Sequence, residues 1–410
     1  MLHSTTVGQA GYPLGPPANP ARPICYREEL RTSLLVAALS VLAVLAWQAL
    51  AVHYNYAGNW TGLYCIGDRF PQPPDLAERL WLFRDTYGYD GQWYHLIAHD
   101  PWQKRGFDRF IDNPRVRYHR ILLPGLAWLL AAGQDRNVDA AYRALVWLSI
   151  FLGSFWIARY AGLHGLTPWL GLAFLLVPAV LVTIDRLTVD SVLACLCVGF
   201  ILFLETAPGW PLYVVLLAAP LVRDTGLVLL AGYVGTLVLE RRFGRAALFS
   251  TAALPAIVWV GLVSTRTAPT QLTLTSLWPL AGYAQRILHP YPYPLAAPIA
   301  FAANLLDYAS LAGIGLAIVW AVILVPGKKA GAVTIPILAF AAVAAFLNLH
   351  EIWDDAYAFG RVLTPLLLLL ALVAIPKRRW AMALPLLLVT PRILMQFAPQ
   401  ALHVVKAMLG

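Results

Sequence analysis

Ile121-Leu-Leu-Pro-Gly-Leu-Ala-Trp-Leu-Leu-Ala-Ala-Gly133 is apolar from end to end but only thirteen residues long. A helix crossing a bilayer core needs about twenty residues. The stretch is therefore either a short crossing or a segment lying along the membrane surface, and the choice inverts the sidedness of everything after it. The later loops decide. If it does not cross, Arg159-Tyr-Ala-Gly-Leu-His164, Glu240-Arg-Arg-Phe-Gly-Arg245, Pro326-Gly-Lys-Lys329 and Pro376-Lys-Arg-Arg379 all face the cytoplasm. Those are the most cationic short loops in the chain, and cytoplasmic loops carry the excess of Lys and Arg. If it crosses, all four fall outside. Residues 121–133 are thus expected to lie along the surface or to dip in and return.

Working outward, the first span is expected at 32–52, with Arg22, Arg27 and Arg31 holding the N-terminus inside. Ten more follow at about 140–158, 167–184, 188–206, 211–222, 225–239, 246–264, 305–325, 331–348, 361–376 and 380–397. The fold class expected is an all-α polytopic membrane protein with about eleven transmembrane helices and a C-terminus outside. Residues 32–410 form one domain. Within it, 53–139 is a long first extracytoplasmic loop carrying juxtamembrane helices, and 265–304 is a second long outer loop. Residues 1–31 read as a disordered cytoplasmic tail, Gly- and Pro-rich at its start. The first apolar run begins too late and runs too long for a cleaved signal peptide.

Composition supports this class. The 410 residues are 60% hydrophobic and 12% charged, with mean hydropathy +0.65, whereas soluble domains carry about 25% charged residues. The short alternating segments of an outer-membrane barrel are missing. The net charge of +9 is read by position, as topology. No basic stripe with interleaved aromatics occurs, so nucleic acid is not an expected partner. Cys25, Cys65, Cys195 and Cys197 show no CxxC spacing and no His-rich pattern, so structural zinc is not expected.

The same bookkeeping sorts the acids. Asp85, Asp90, Asp112, Asp185, Asp190, Asp224, Glu351, Asp354 and Asp355 fall on or just inside the extracytoplasmic face, and Glu205 and Glu240 near the cytoplasmic one. Charges at membrane depth are expensive and tend to be paired or functional. Their gathering at one face implies a polar cavity open to the outside and roofed by the first loop. In that loop, Arg84-Asp-Thr-Tyr-Gly-Tyr-Asp-Gly-Gln-Trp-Tyr-His95 packs two carboxylates, aromatic rings, glycines and a histidine together. Asp85 or Asp90 is a candidate general base. Turn chemistry at Asp90-Gly91, or capping of the helix that follows, accounts for Asp90 equally well.

Tyr89-Asp-Gly-Gln-Trp-Tyr-His-Leu-Ile-Ala98 is similar to the W-D-x-x-[HWF]-[YF]-x-x-I-A pattern of the mannosyltransferases of GPI-anchor assembly and their bacterial relatives, within the GT-C superfamily of membrane glycosyltransferases. Arg117-Tyr-His-Arg-Ile-Leu-Leu-Pro124 resembles their R-[FY]-x-x-x-P-L helix. Ile184-Asp-Arg-Leu-Thr-Val-Asp190 resembles their second outer loop, Arg223-Asp-Thr-Gly226 their R-x-[ST]-G turn, and Arg361-Val-Leu-Thr-Pro365 the arginine that opens a late span. The position before the acid is Tyr89 rather than Trp, and the adjacent acidic pair of other GT-C branches is missing from the first loop.

The resemblance implies transfer of a sugar from a polyprenyl-phosphate donor to an acceptor hydroxyl on the extracytoplasmic face, with inversion. Asp90 is the preferred base and Asp85 the second. Arg223 and Arg361, then Arg117 and Arg120, are candidates to hold the phosphate. Snorkelling to lipid headgroups is the plain alternative for these arginines. Gln92, Trp93 and Tyr94 are candidate substrate contacts. Asp185 and Asp190 either steady the first loop or help hold a divalent cation such as Mg²⁺ or Mn²⁺, with capping of the 188–206 span an equal reading. His95, His99 and His119 read as hydrogen-bonded loop residues, and 348–357 as an interfacial belt. The expected partners are the bilayer, the donor lipid, and a glycan, lipid or protein acceptor. The expected location is a bacterial inner membrane, with the site facing the periplasm or exterior. The rival classes are a transporter or flippase of a lipid-linked or anionic substrate, which would need charges near mid-bilayer, and a non-catalytic assembly subunit.

Overall fold

The computed structural model describes residues 22–77, 79–269, 275–324 and 331–409. It is helical, as expected. Among the described residues the one sheet pairs Ile66–Gly67 in parallel with Leu82–Phe83. Long apolar runs favour this outcome, because a helix satisfies its own backbone groups where water is absent.

Four helices are long and apolar enough to cross a bilayer: Arg27–Asn55, Asp135–Leu163, Phe243–Arg266 and Ala297–Ile323. Two bent pairs raise the number to six if each pair is one span, namely Pro168–Leu176 with Pro178–Arg186, bent by 61°, and Trp380–Met395 with Ala398–Leu409, bent by 46°. Trp210–Val222, Asp224–Leu239, Thr334–Phe346 and Thr364–Lys377 are shorter apolar helices. The expected straight span at 167–184 is broken at Val177, whose φ −69° and ψ 126° are extended. Pro178 explains the break, since a residue before proline is driven out of the helical region.

Ile121–Gly133 resolves as a nine-residue helix, Leu122–Leu130. At 1.5 Å per residue it rises about 14 Å, under half of a core of about 30 Å. It packs against Gly91–His99 and Asp135–Leu163. Two boundaries differ from expectation. The first helix already begins at Arg22, so 22–31 is helix rather than tail, and residues 1–21 of the expected tail lie outside the described residues. The helix expected from 305 begins at Ala297, which shortens the second outer interval. That interval carries a short helix, Ala281–Leu288, and its residues 270–274 lie outside the described residues.

One polar knot sits among these helices. Asp307 accepts from Arg392 Nε at 2.7 Å, Arg286 Nη2 at 2.6 Å and the Tyr293 hydroxyl at 2.7 Å. The two arginines and the aspartate are all buried. The apolar runs at 305–325 and 380–397 conceal Asp307 and Arg392, whose charges are tolerated there because each is paired.

Candidate functional site

The Gly91–His99 helix is buried along its whole length. Asp90 stands at its N-cap position but makes no capping hydrogen bond. Its carboxylate instead faces two guanidiniums, with Arg117 Nη1 2.9 Å from Oδ1 and Arg361 Nη2 2.7 Å from Oδ2. The capping alternative therefore does not describe this side chain. Gly91 sets the approach. A Cβ there would stand 2.0 Å from the Arg186 carbonyl oxygen and 2.7 Å from that of Tyr64. Both are backbone atoms that cannot swing aside. Gly91→Ala is expected to lower stability by about 1–3 kcal/mol, the usual cost of overpacking, read as a lower thermal midpoint of the purified protein.

Around Asp90 the remaining residues come from distant parts of the chain. Arg117, on the Pro114–His119 helix, also binds Asp112 through two parallel hydrogen bonds of 3.0 and 2.8 Å. Asp190 opens the Asp190–Thr206 helix and pairs with Arg223, which ends Trp210–Val222. Arg361 reaches Asp190 as well, its Nη1 lying 3.6 Å from Oδ2. It thus bridges the two aspartates, with its guanidinium 5.0 Å from the centroid of the Tyr89 ring. Arg120 donates to the Tyr94 hydroxyl. Asp224, beside Arg223, approaches His119 Nδ1 at 3.4 Å.

Several donors in this cluster lack hydrogen-bond partners among the described residues. Arg361 Nε and Arg120 Nε are buried without a hydrogen-bond partner, and Arg361 Nη1 has only its longer ion pair with Asp190. A buried donor left unpaired costs about 1–3 kcal/mol, and more when charged. Such donors are free to hydrogen-bond an anion. The protein also has an apolar cavity of about 260 Å³, walled by Trp102, Ile121, Leu126, Trp128, Leu221 and Trp259. Ile121 follows Arg120 and Leu221 lies two residues before Arg223, so two of the lining residues are near neighbours in sequence of the cluster's arginines.

Burial would raise the Asp90 pKa, but Arg117, Arg361 and Arg120 outweigh it and hold the carboxyl far below the usual carboxylate range. Asp355, which caps Ala356–Val362 by accepting from the Tyr357 N–H at 3.0 Å, is pushed the other way by burial. For Asp90 the sign follows from the depressed folded value. Its ion pairs contribute stability above the unfolded pKa of about 3.9, and that contribution is lost as pH falls below it. The difference in thermal midpoint between wild type and Asp90→Asn is therefore expected to stay constant from about pH 5 to 8 and to shrink below about pH 4. Paired melts across that range check this.

The other sequence candidates are placed elsewhere. Asp85 is exposed, at φ +57°, and does not join the cluster. Asp185 is buried and held by the Tyr357 hydroxyl at 2.7 Å, Gln400 Nε2 at 2.6 Å and Arg186 Nε at 3.2 Å. It does not cap the Asp190–Thr206 helix, whose N-cap position, Val189, makes no side-chain cap hydrogen bond. Gln92 is turned inward, accepting from the Gly67 N–H and donating to the Tyr87 carbonyl. Trp93 is buried against Phe70, with ring centroids 4.8 Å apart. Both hold the loop's shape. His95 and His99 lie on a buried helix, not in a loop. No family model, curated protein or solved structure matches the chain.

Proposed function

We propose that this chain is an integral membrane glycosyltransferase of GT-C type, with about eleven spans, working on the extracytoplasmic face. Counting spans this way takes each bent pair as one crossing and adds the shorter apolar helices and Asp190–Thr206. The observation that carries the proposal is the set of buried guanidinium donors of Arg120 and Arg361 without hydrogen-bond partners among the described residues, around Asp90 and Asp190, in a chain that also holds an apolar cavity whose lining includes Ile121, next to Arg120. A polyprenyl phosphate has the matching chemistry: an anionic head for the arginines and an apolar tail for the cavity.

In this reading the ion pairs have a second role. A carboxylate held by Arg117 and Arg361 is ionised but weakly basic. The donor phosphate competes with Asp90 for the same guanidiniums. As they turn to the phosphate, Asp90 regains basicity beside the acceptor hydroxyl, so donor binding arms the base. The hydroxyl oxygen attacks the anomeric carbon, its proton passes to the Asp90 carboxylate, and the polyprenyl phosphate leaves with the bonding pair. Attack opposite the leaving group inverts the centre.

The test is incubation of the purified chain with polyprenyl-phosphate sugars and a panel of acceptors, alongside Asp90→Asn. Transfer by wild type and its loss in the variant support the reading. No transfer by wild type removes the reading, and transfer that survives the substitution removes Asp90 as its base.

A further inference from the structure

His95 and His99 stand one helical turn apart on the Gly91–His99 helix, so their rings share a face. That face meets the start of Asp135–Leu163. There, Asp139 Oδ1 lies 3.2 Å from His95 Nε2 and 3.6 Å from His99 Nε2. One candidate ligand atom from each of the three residues lies within 4.8 Å of the others. Both histidines are buried, at 1% and 4% exposure. Asp139 Oδ1 and His99 Nε2 have no hydrogen-bond partner among the described residues.

The tautomer sharpens the point. His99 Nδ1 sits 2.9 Å from Asp135 Oδ1, and Arg105 Nη1 holds both oxygens of that carboxylate at 2.8 and 2.9 Å. An imidazole that gives its Nδ1 proton to a carboxylate presents a lone pair at Nε2. In that neutral tautomer the His99 lone pair faces a carboxylate oxygen, Asp139 Oδ1. Two acceptors at this distance repel unless a cation stands between them. A carboxylate on the far nitrogen is also the usual support of a metal-bound histidine, orienting the ring and raising its basicity.

We propose that His95, His99 and Asp139 bind a divalent first-row transition-metal ion, zinc by preference, with Asp135 orienting His99. Two imidazoles and a carboxylate are a donor set that zinc takes readily. With metal–ligand bonds of about 2.0–2.1 Å, the edges of a tetrahedron measure about 3.3–3.4 Å. The Asp139–histidine separations of 3.2 and 3.6 Å bracket that value. Water would complete the four-coordinate shell. The ion would tie the helix that begins beside Asp90 to a long helix of the bundle, which makes it a positioning element for the candidate site. The proposal does not rest on the glycosyltransferase reading, and no transfer assay enters its test.

The experiment uses the full chain purified in detergent, stripped with a chelator, re-equilibrated with Zn²⁺ and desalted. Metal is then counted by inductively coupled plasma mass spectrometry. Wild type is expected to retain one zinc per chain. His95→Gln and Asp139→Asn are each expected to lose it, while His164→Gln, at a histidine elsewhere in the fold, keeps it. Should the two cluster variants fail to fold, wild type still decides: X-ray absorption of its bound zinc must count two imidazoles, and cobalt in place of zinc must give the strong visible bands of a four-coordinate site. A wild type that holds no zinc and gives no such cobalt spectrum overturns the proposal and leaves a proton as the cation in the cluster. Undiminished zinc in folded His95→Gln or Asp139→Asn overturns it as well.

Discussion

Asp90→Asn is expected to cut sugar transfer by about 100- to 10,000-fold, the range that a positioned proton acceptor contributes. Asparagine keeps the shape of aspartate and still offers one oxygen to Arg117 or Arg361. What it lacks is the negative charge and the ability to take a proton. Donor binding should suffer less than turnover, because removing the carboxylate frees the arginines for phosphate. The variant is thus expected to bind a polyprenyl phosphate as tightly as wild type, or more tightly, while turning over slowly. Single-turnover transfer and equilibrium donor binding, measured side by side, check the pair of outcomes. Weaker donor binding together with undiminished single-turnover transfer contradicts both halves. The parallel substitution Asp355→Asn is informative, because burial pushes that carboxyl up while the arginines pull Asp90 down. Two carboxyls driven apart in this way divide acid and base roles in many sites. Loss of transfer in Asp355→Asn with activity intact in Asp90→Asn moves the base to Asp355.

Arg361→Ala is expected to be the most destabilising change in the cluster. Arg361 is 7% exposed on its side chain and faces Asp90 and Asp190, whose side chains are 15% and 3% exposed. Removing it leaves carboxylates short of countercharge in a poorly solvated place. Breaking a buried pair by deleting one partner costs about 3–5 kcal/mol. The expected result is a large fall in thermal midpoint or failure to accumulate in the membrane. Arg361→Lys separates charge from geometry. Lysine restores the positive charge but not the planar fork that serves two carboxylates at once. It should recover most of the stability and little of the donor affinity. A lysine variant with wild-type affinity would show that a single point charge suffices there.

Much of the architecture was legible in the apolar runs. Helix follows from run length and missing alternation, and the brevity of 121–133 was visible as a count of residues. The bend at Val177 was also legible in principle, since Pro178 stands in the sequence, but run length alone reads through a proline. The candidate site divides differently. Asp90, Arg117, Asp190, Arg223 and Arg361 were named from short motifs, and the fold gathers them in one cluster. Asp85 is as close in sequence to the turn as Asp90, yet it lies on the exposed side. Spacing of five residues could not decide which carboxylate turned inward. Gln92 and Trp93 carried the right chemistry for a sugar and spend it inside the loop.

The features that escaped are those whose partners are far away. His95 and His99 had helical spacing in plain sight. Their meaning depends on Asp139, forty positions on from His99, at the start of another helix. Asp307 and Arg392 were each submerged in an apolar average, and only the packing of Ala297–Ile323 against Leu384–Met395 joins them. Pairing across helices leaves no periodic trace within either one.

The reach of Arg361 has a consequence for biosynthesis. Residues 90 and 361 stand 271 positions apart, and the contact between them completes the cluster. At synthesis rates of about 5–20 residues per second, Asp90 waits roughly 15–50 s on the ribosome's clock before its second arginine is made. During that interval the early part of the chain holds an unfinished electrostatic set, with Arg117 as the only one of the two in place. Chains cut short before the Ala356–Val362 helix are therefore expected to be degraded faster than the full chain, which a pulse-chase comparison checks.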